Sequence, residues 1–268
     1  MDTSKPKSRK QLNDKQKDIL LILYKFRFIT VELVVKYQKD ISRRYTNTRL
    51  RILLEQEYIG RNYDANYRID RKQAIYYLLP NGINFLKKDP DLNSIVLNTI
   101  YDDKKRTSQF INHCLDFLKL YLKLHDLYGS SLSFYSKSEQ AEYDYFPRPL
   151  PDAYFILETE QTSSQYMLEI VEASTQSWVI KKTLKRYINH VESGDWDETD
   201  SDYPTLLLVC ETPSLERRIQ QQATKLLDNS DTDELTIYTT TTKALMDSNS
   251  PKDTIWSDVN EPDTLATL

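Results

Sequence analysis

Apolar residues recur at helical spacing in three short blocks near the start of the chain. Ile19, Leu20, Ile22, Leu23 and Phe26 form the first, behind Asn13, a residue type that caps helices. Arg27-Phe28 breaks the run, Thr30 supplies a second cap, and Val31, Leu33, Val34 and Tyr37 continue on a short second helix. Asp40 to Ser42 interrupt again. A third helix is predicted from Arg43 to Glu57, with Leu50, Ile52, Leu53 and Tyr58 as its buried side and Gly60 as the left-handed residue that ends it. Ile59 to Asn62 and Ala74 to Leu79 then read as two strands of a hairpin. Pro80-Asn81-Gly82 turns the chain into a closing helix, Ile83 to Lys88. Three short helices followed by a hairpin predict a winged helix-turn-helix over residues 1–90.

The pattern changes after a polar connector at residues 91–106. A long helix is predicted from Thr107 to His125, with Phe110, Cys114, Phe117, Leu118, Tyr121 and Leu122 facing inward. Strands follow at Ser131 to Tyr135, Ala153 to Leu157 and Tyr166 to Val171, then a basic helix, Ser177 to His190. An apolar strand at Leu206 to Cys210, a helix at Ser214 to Leu227 and a strand at Leu235 to Tyr238 complete the order. Helices interleaved with strands predict an α/β domain with a mixed sheet over residues 107–240, so the whole chain reads as α+β. The rest, 241–268, reads as an acidic tail. Asp247 to Pro262 within it is expected to be disordered or to mimic a polyanion against the basic module.

Charge sharpens this division. Residues 1–90 hold 20 Lys and Arg against 10 Asp and Glu, whereas residues 91–268 hold 16 against 30. A basic module beside an acidic one points to a polyanionic partner for the first. Ser42, Arg43, Arg44, Thr46, Asn47 and Arg49 lie at the exposed start of the third helix. Arginine bonds guanine bidentately, asparagine bonds adenine, and Ser or Thr suits phosphates or bases. Arg68, Arg71 and Lys72 in the hairpin loop stand where a wing touches the backbone or minor groove. Double-stranded DNA is the expected partner. A winged helix used for protein contacts is the competing reading.

No apolar run reaches the 18 or more residues of a membrane helix, and the polar first ten residues lack a signal core. Cys114 and Cys210 stand far apart and outside any CxxC pair, which fits a reduced cytosol and argues against zinc. A cytoplasmic protein with no membrane partner is expected.

The chemistry in the second half rests on spacing. Pro151-Asp152 opens one strand, and Leu168-Glu169-Ile170-Val171-Glu172 closes its neighbour. Two acids on adjacent strands can converge on Mg²⁺ or Mn²⁺, which activates water and stabilises a leaving phosphate oxygen. Nucleases with the PD-(D/E)xK core place their acids in this way, with a lysine two residues after the second. Asp152 and Glu169 are the candidate metal ligands, and Glu172 and Lys185 the further catalytic candidates.

The winged helix, His113 on the long helix, Pro151-Asp152-Ala153, Leu168-Glu169-Ile170, Thr175, and Lys185 with Tyr187 follow in an order that resembles the replication-relaxation proteins of plasmids and mobile elements. These are similar to a plasmid mobilisation relaxase with a restriction-endonuclease-like domain. The resemblance spans about residues 12–227 and implies DNA handling in replication or mobilisation, with Asp152 and Glu169 at the metal site. This sequence departs from the family at Val171, where relatives carry an acid and the nuclease core a lysine. On a regular strand Glu172 faces the other way; a bulge would be needed to return it. Lys181, Lys182 or Lys185 then stand as a migrated cation. Tyr187 is a candidate covalent nucleophile. His113 and Asp116, three apart on one helix, are candidate site neighbours, and Trp178 and Trp196 are expected to be core or loop anchors.

Three functions stay open at this point. One is a DNA-binding protein of replication or mobilisation with a nuclease-like site. Another is a non-enzymatic transcription regulator or accessory adaptor whose α/β domain dimerises or binds a partner; a homodimer or a mobilisation or replication partner protein is the expected associate. The third is a metal-dependent nickase that tolerates Val171.

Overall fold

Asn13 opens the first helix as the spacing predicts. Its side chain accepts the Gln16 amide at 2.9 Å, and Gln16 Oε1 accepts the Asn13 amide at 3.0 Å. This capping box starts α1 (Asp14–Phe26). The computed structural model describes residues 11–39, 42–63, 73–159, 162–230, 232 and 234–268. The chain divides into two compact units, 1–118 and 119–268.

In the first unit, Thr30 caps α2 (Val31–Gln38), and α3 (Arg43–Glu55) follows Ser42. The hairpin forms as expected from β2 (Ile59–Asn62) and β3 (Ile75–Leu78), and β1 (Ile29–Thr30) pairs on the far side of β3. The sheet order β1-β3-β2 behind three helices is that of a winged helix-turn-helix. Ile19, Leu23, Phe26, Phe28, Val34, Leu50 and Leu53 fill its core, each almost fully removed from water. Each such side chain contributes about 1.5–3 kcal/mol of burial.

Three local expectations change. Gly60 does not end α3. The left-handed residue there is Glu57 at φ 58°, and Gly60 sits inside β2 opposite Tyr77. A Cβ at Gly60 would lie 2.5 Å from the Tyr77 ring, so packing rather than a turn demands glycine. Pro80-Asn81-Gly82 is not a separate turn but the first turn of α4 (Pro80–Leu86), since proline at the first position of a helix loses no hydrogen bond. Residues 91–106 are not a plain connector. They form α5 (Ser94–Thr99) and a 3₁₀ helix (Ile100–Lys105), which bury Leu97, Ile100 and Asp103. The buried Asp103 carboxylate takes Arg27, bound through Nε at 2.9 Å and through Nη2. This helical segment carries the first unit beyond the expected boundary at residue 90.

The division falls within α6 (Ser108–Tyr128). The second unit is built on seven strands: β4 (Leu132–Ser136), β5 (Ala153–Glu158), β6 (Ser163–Val171), β7 (Thr205–Cys210), β8 (Ile237–Thr241), β9 (Trp256–Asp258) and β10 (Leu265–Ala266), in the sheet order β10-β9-β8-β7-β6-β5-β4. β4, β5 and β6 are antiparallel, while β6, β7 and β8 run parallel. Parallel neighbours need crossover helices, and α8 (Ser177–Ser193) and α9 (Pro213–Leu227) supply them. Ile180, Leu184 and Tyr187 of α8 and Leu215, Ile219 and Ala223 of α9 pack with Met167, Leu206, Leu208 and Ile237 of the sheet. On the opposite face Tyr121 of α6 meets Phe134, which stacks on Phe155. The second unit is a mixed-sheet α/β domain and the first a winged helix-turn-helix, as the sequence pattern predicts.

The last segment differs most from expectation. Residues 241–268 do not form a tail: α10 (Thr242–Asp247) and β9 follow β8, and Trp256 and Val259 are buried. Acid content masked the apolar anchors. Trp196 is buried as expected, but Trp178 is 63% exposed. No helix among the described residues is long and apolar enough to cross a membrane.

Candidate nucleic-acid interface and carboxylate site

Each unit carries one candidate surface. On α3, burial of Leu50 and Leu53 fixes the opposite face outward. Ser42, Arg43, Arg44 and Asn47 are exposed, as expected of a helix that reads DNA. Two arginines in the first helical turn oppose the helix dipole, so helix stability does not account for them. They suit an anion placed at the free amides there. Thr46, expected on this face, is buried instead, and its hydroxyl reaches back to the Ser42 carbonyl at 3.5 Å. Arg49 is half-buried, with Nη1 enclosed, because it lies one turn along toward the core. Periodicity alone missed Tyr45, 64% exposed, and Thr48, which stand beside Arg44 on the open face. Arg68, Arg71 and Lys72 lie outside the described residues. Where β2 runs into the hairpin loop, Arg61 stacks over the Tyr63 ring at 5.3 Å, a further cation beyond those that the sequence pattern singles out.

The second surface follows from strand register. Ser136 pairs with Ala153, and Ala153 with Leu168. One step along, Lys137, Asp152 and Glu169 fall in a row across three neighbouring strand ends, on the face covered by α8. Lys137 opens α7 (Lys137–Gln140), where Glu139 Oε2 accepts both the Ser136 amide at 2.7 Å and its hydroxyl at 2.9 Å. Lys137 Nζ donates to Asp152 Oδ1 at 2.6 Å, and the Ile170 amide donates to Oδ2 at 2.9 Å. Glu169 Oε1 accepts Tyr187 Oη at 2.7 Å and also Arg186 Nη2.

Environment sets the charges. Burial would lower the Lys137 amine, but the Asp152 and Glu169 carboxylates outweigh it and hold the amine above its ordinary value. Burial and the neighbouring Asp152 push Glu169 up, against the pull of Arg186, Lys137 and the Tyr187 hydroxyl. Tyr187 is wholly buried. Burial, then Glu169, drives its hydroxyl well above the phenol range, and the hydroxyl donates to Glu169 Oε1.

Several candidates stand apart from this row. The ladder runs regularly through Val171 opposite Cys210, so no bulge brings Glu172 round. Its carboxylate accepts Ser174 Oγ at 3.3 Å. Lys185 is exposed on α8, and the cation that reaches Glu169 is Arg186, its neighbour. Val171 borders, with Glu169, a cavity of about 50 Å³. His113 is half-buried and Asp116 exposed.

The donor set does not fit a divalent ion as it stands. Hard cations bind carboxylate oxygens left free to face them. Here each acid is matched by its own cation, and no cluster of three acid, histidine or cysteine ligands exists among the described residues.

No family model matches the chain, and no curated protein does. Among solved structures, a mutant of Lactococcus lactis ZitR is similar at 22% identity and a TM-score of 0.26, covering 45% of this chain and 80% of that one. The restriction endonuclease FokI is similar at 12% identity and a TM-score of 0.34, covering 87% of this chain and 42% of FokI. FokI bound to DNA gives 11% identity and 0.32, with 88% and 45% covered. The chain thus spans less than half of FokI. Likeness at this level leaves the site to be read from its own topology and contacts.

Proposed function

We propose that this protein binds double-stranded DNA through α3 and its wing, as a cytoplasmic protein of a plasmid or mobile element that acts in replication or mobilisation. The observation that carries the reading is the outward face of α3, where Ser42, Arg43, Arg44, Tyr45 and Asn47 are all exposed on a winged-helix scaffold. The role in replication or mobilisation rests on the resemblance to replication-relaxation proteins. In this reading the α/β domain keeps a nuclease-like frame whose acids are neutralised from within, and it works as a docking module for a second copy or a replication or mobilisation protein. Selection of the full chain against a random duplex library tests it. Enrichment of a common site is expected, and an unenriched pool that binds no better than buffer controls would sink it.

A second reading, metal-dependent nicking, requires Asp152 and Glu169 to exchange Lys137 and Arg186 for an ion. Calorimetry with Mn²⁺ on the full chain separates the two. Heat of binding that disappears in Asp152→Ala supports the nickase, and its absence in the wild type supports the adaptor.

A further inference from the structure

The helix α8 divides its residues cleanly. Ile180, Leu184, Tyr187 and Ile188 turn toward the sheet, and Trp178, Lys181, Lys182, Lys185 and Asn189 recur at helical spacing on the side away from it. That second side borders an open cleft of about 720 Å³, closed on its far wall by Arg148. Asp195 is the carboxylate on this wall, and none of the three lysines pairs with an acid among the described residues. Trp178 is 63% exposed, a placement that burial does not explain, and its indole nitrogen is held by Gln176 Oε1.

A domain rich in acids has here gathered unpaired cations around one bare aromatic plane. Solubility needs no exposed indole, and a duplex offers no unstacked base to it. A single strand offers both a phosphate track for the lysines and a free base for the ring. We propose that the cleft along α8 is a binding site for single-stranded nucleic acid, distinct from the α3 surface, with Lys181, Lys182 and Lys185 on phosphates and Trp178 stacked on a base.

Tryptophan emission reads this directly. The chain has three tryptophans, and Trp196 and Trp256 are buried, at 3% and 1% exposure. Titrating the full chain with oligothymidylate is expected to quench emission, and the quench is expected to vanish in Trp178→Phe while binding persists. Trp178→Ala is expected to weaken binding about tenfold. Lys181→Gln with Lys185→Gln is expected to weaken it further and to flatten the log–log salt slope by about 0.7 for each phosphate that is no longer neutralised. All these positions are exposed, so far-ultraviolet dichroism should stay unchanged. The paired change Arg43→Ala and Arg44→Ala on α3 should leave oligothymidylate binding intact, which separates this site from the duplex site. Oligothymidylate affinity untouched by the α8 changes, or lost only with the α3 changes, would overturn the proposal. Equal binding of polyglutamate, with no change of tryptophan emission on oligothymidylate, would assign the cleft to acidic polypeptides and overturn it too.

Discussion

The two units use charge in opposite ways. On α3 the cations Arg43 and Arg44 are exposed at a helix end that repels them. At the strand ends Lys137 and Arg186 are spent on Asp152 and Glu169, so the four groups balance one another. The comparison teaches that formal charge counts for little until its partners are known. Exposed cations at a helix N-terminus leave their charge open to a ligand, whereas a row of alternating charges is matched from within.

The largest expected effect comes from unbalancing that row. Glu169→Ala would strand Arg186, whose side chain is only 15% exposed. A loss of about 3–5 kcal/mol is expected in denaturant unfolding of the second unit. Unchanged stability would mean that the pair is dispensable and the site open to other use. In the first unit the matching change is Arg27→Ala, which leaves the buried Asp103 carboxylate with Arg106 at 3.6 Å as a poorer partner. It is expected to cost about 1.5–3 kcal/mol.

Gly82→Ala comes next, since a Cβ there would lie 2.3 Å from the Tyr58 carbonyl oxygen, an atom of the backbone that cannot yield easily. A loss of about 1–3 kcal/mol is expected, seen as a lower melting temperature. Gly60→Ala should likewise lower the melting temperature, because its Cβ would meet the buried Tyr77 ring at 2.5 Å.

The smallest effect is a pH dependence. Burial lowers the His190 pKa below 6.5, against a partial pull upward from Asp195. The folded state then binds fewer protons than the unfolded one. Stability from this group is complete above 6.5 and falls as the pH drops below it toward the folded value. His190→Gln should flatten that part of the pH–stability curve, and an unaltered curve would assign the acid loss elsewhere.

Much of the fold was legible in the sequence because local signals and tertiary packing agreed. Asn13, Thr30 and the spacing of Ile19 to Phe26 each mark a cap or a face that the structure uses. Trp256 and Val259 went unread because two buried anchors among many acids make no periodic pattern. Of the carboxylate site, Asp152 and Glu169 were legible as a strand-spaced pair. Lys137 and Arg186 were not, since each reaches its acid through strand register or helix phase rather than through proximity in sequence. Thr46 was misplaced because a polar residue can complete a helix core when its hydroxyl finds a carbonyl on the previous turn.

The most direct test of duplex binding by α3 is fluorescence anisotropy of a labelled duplex against the full chain and its Arg43→Ala, Arg44→Ala double variant, across a salt series. The wild type should bind with a steep salt slope. The variant should lose about 1–3 kcal/mol for each arginine that reads a base, or a slope of about 0.9 for each that contacts a phosphate. Equal affinity and equal slope in both proteins would contradict the assignment of α3 as the DNA-binding surface.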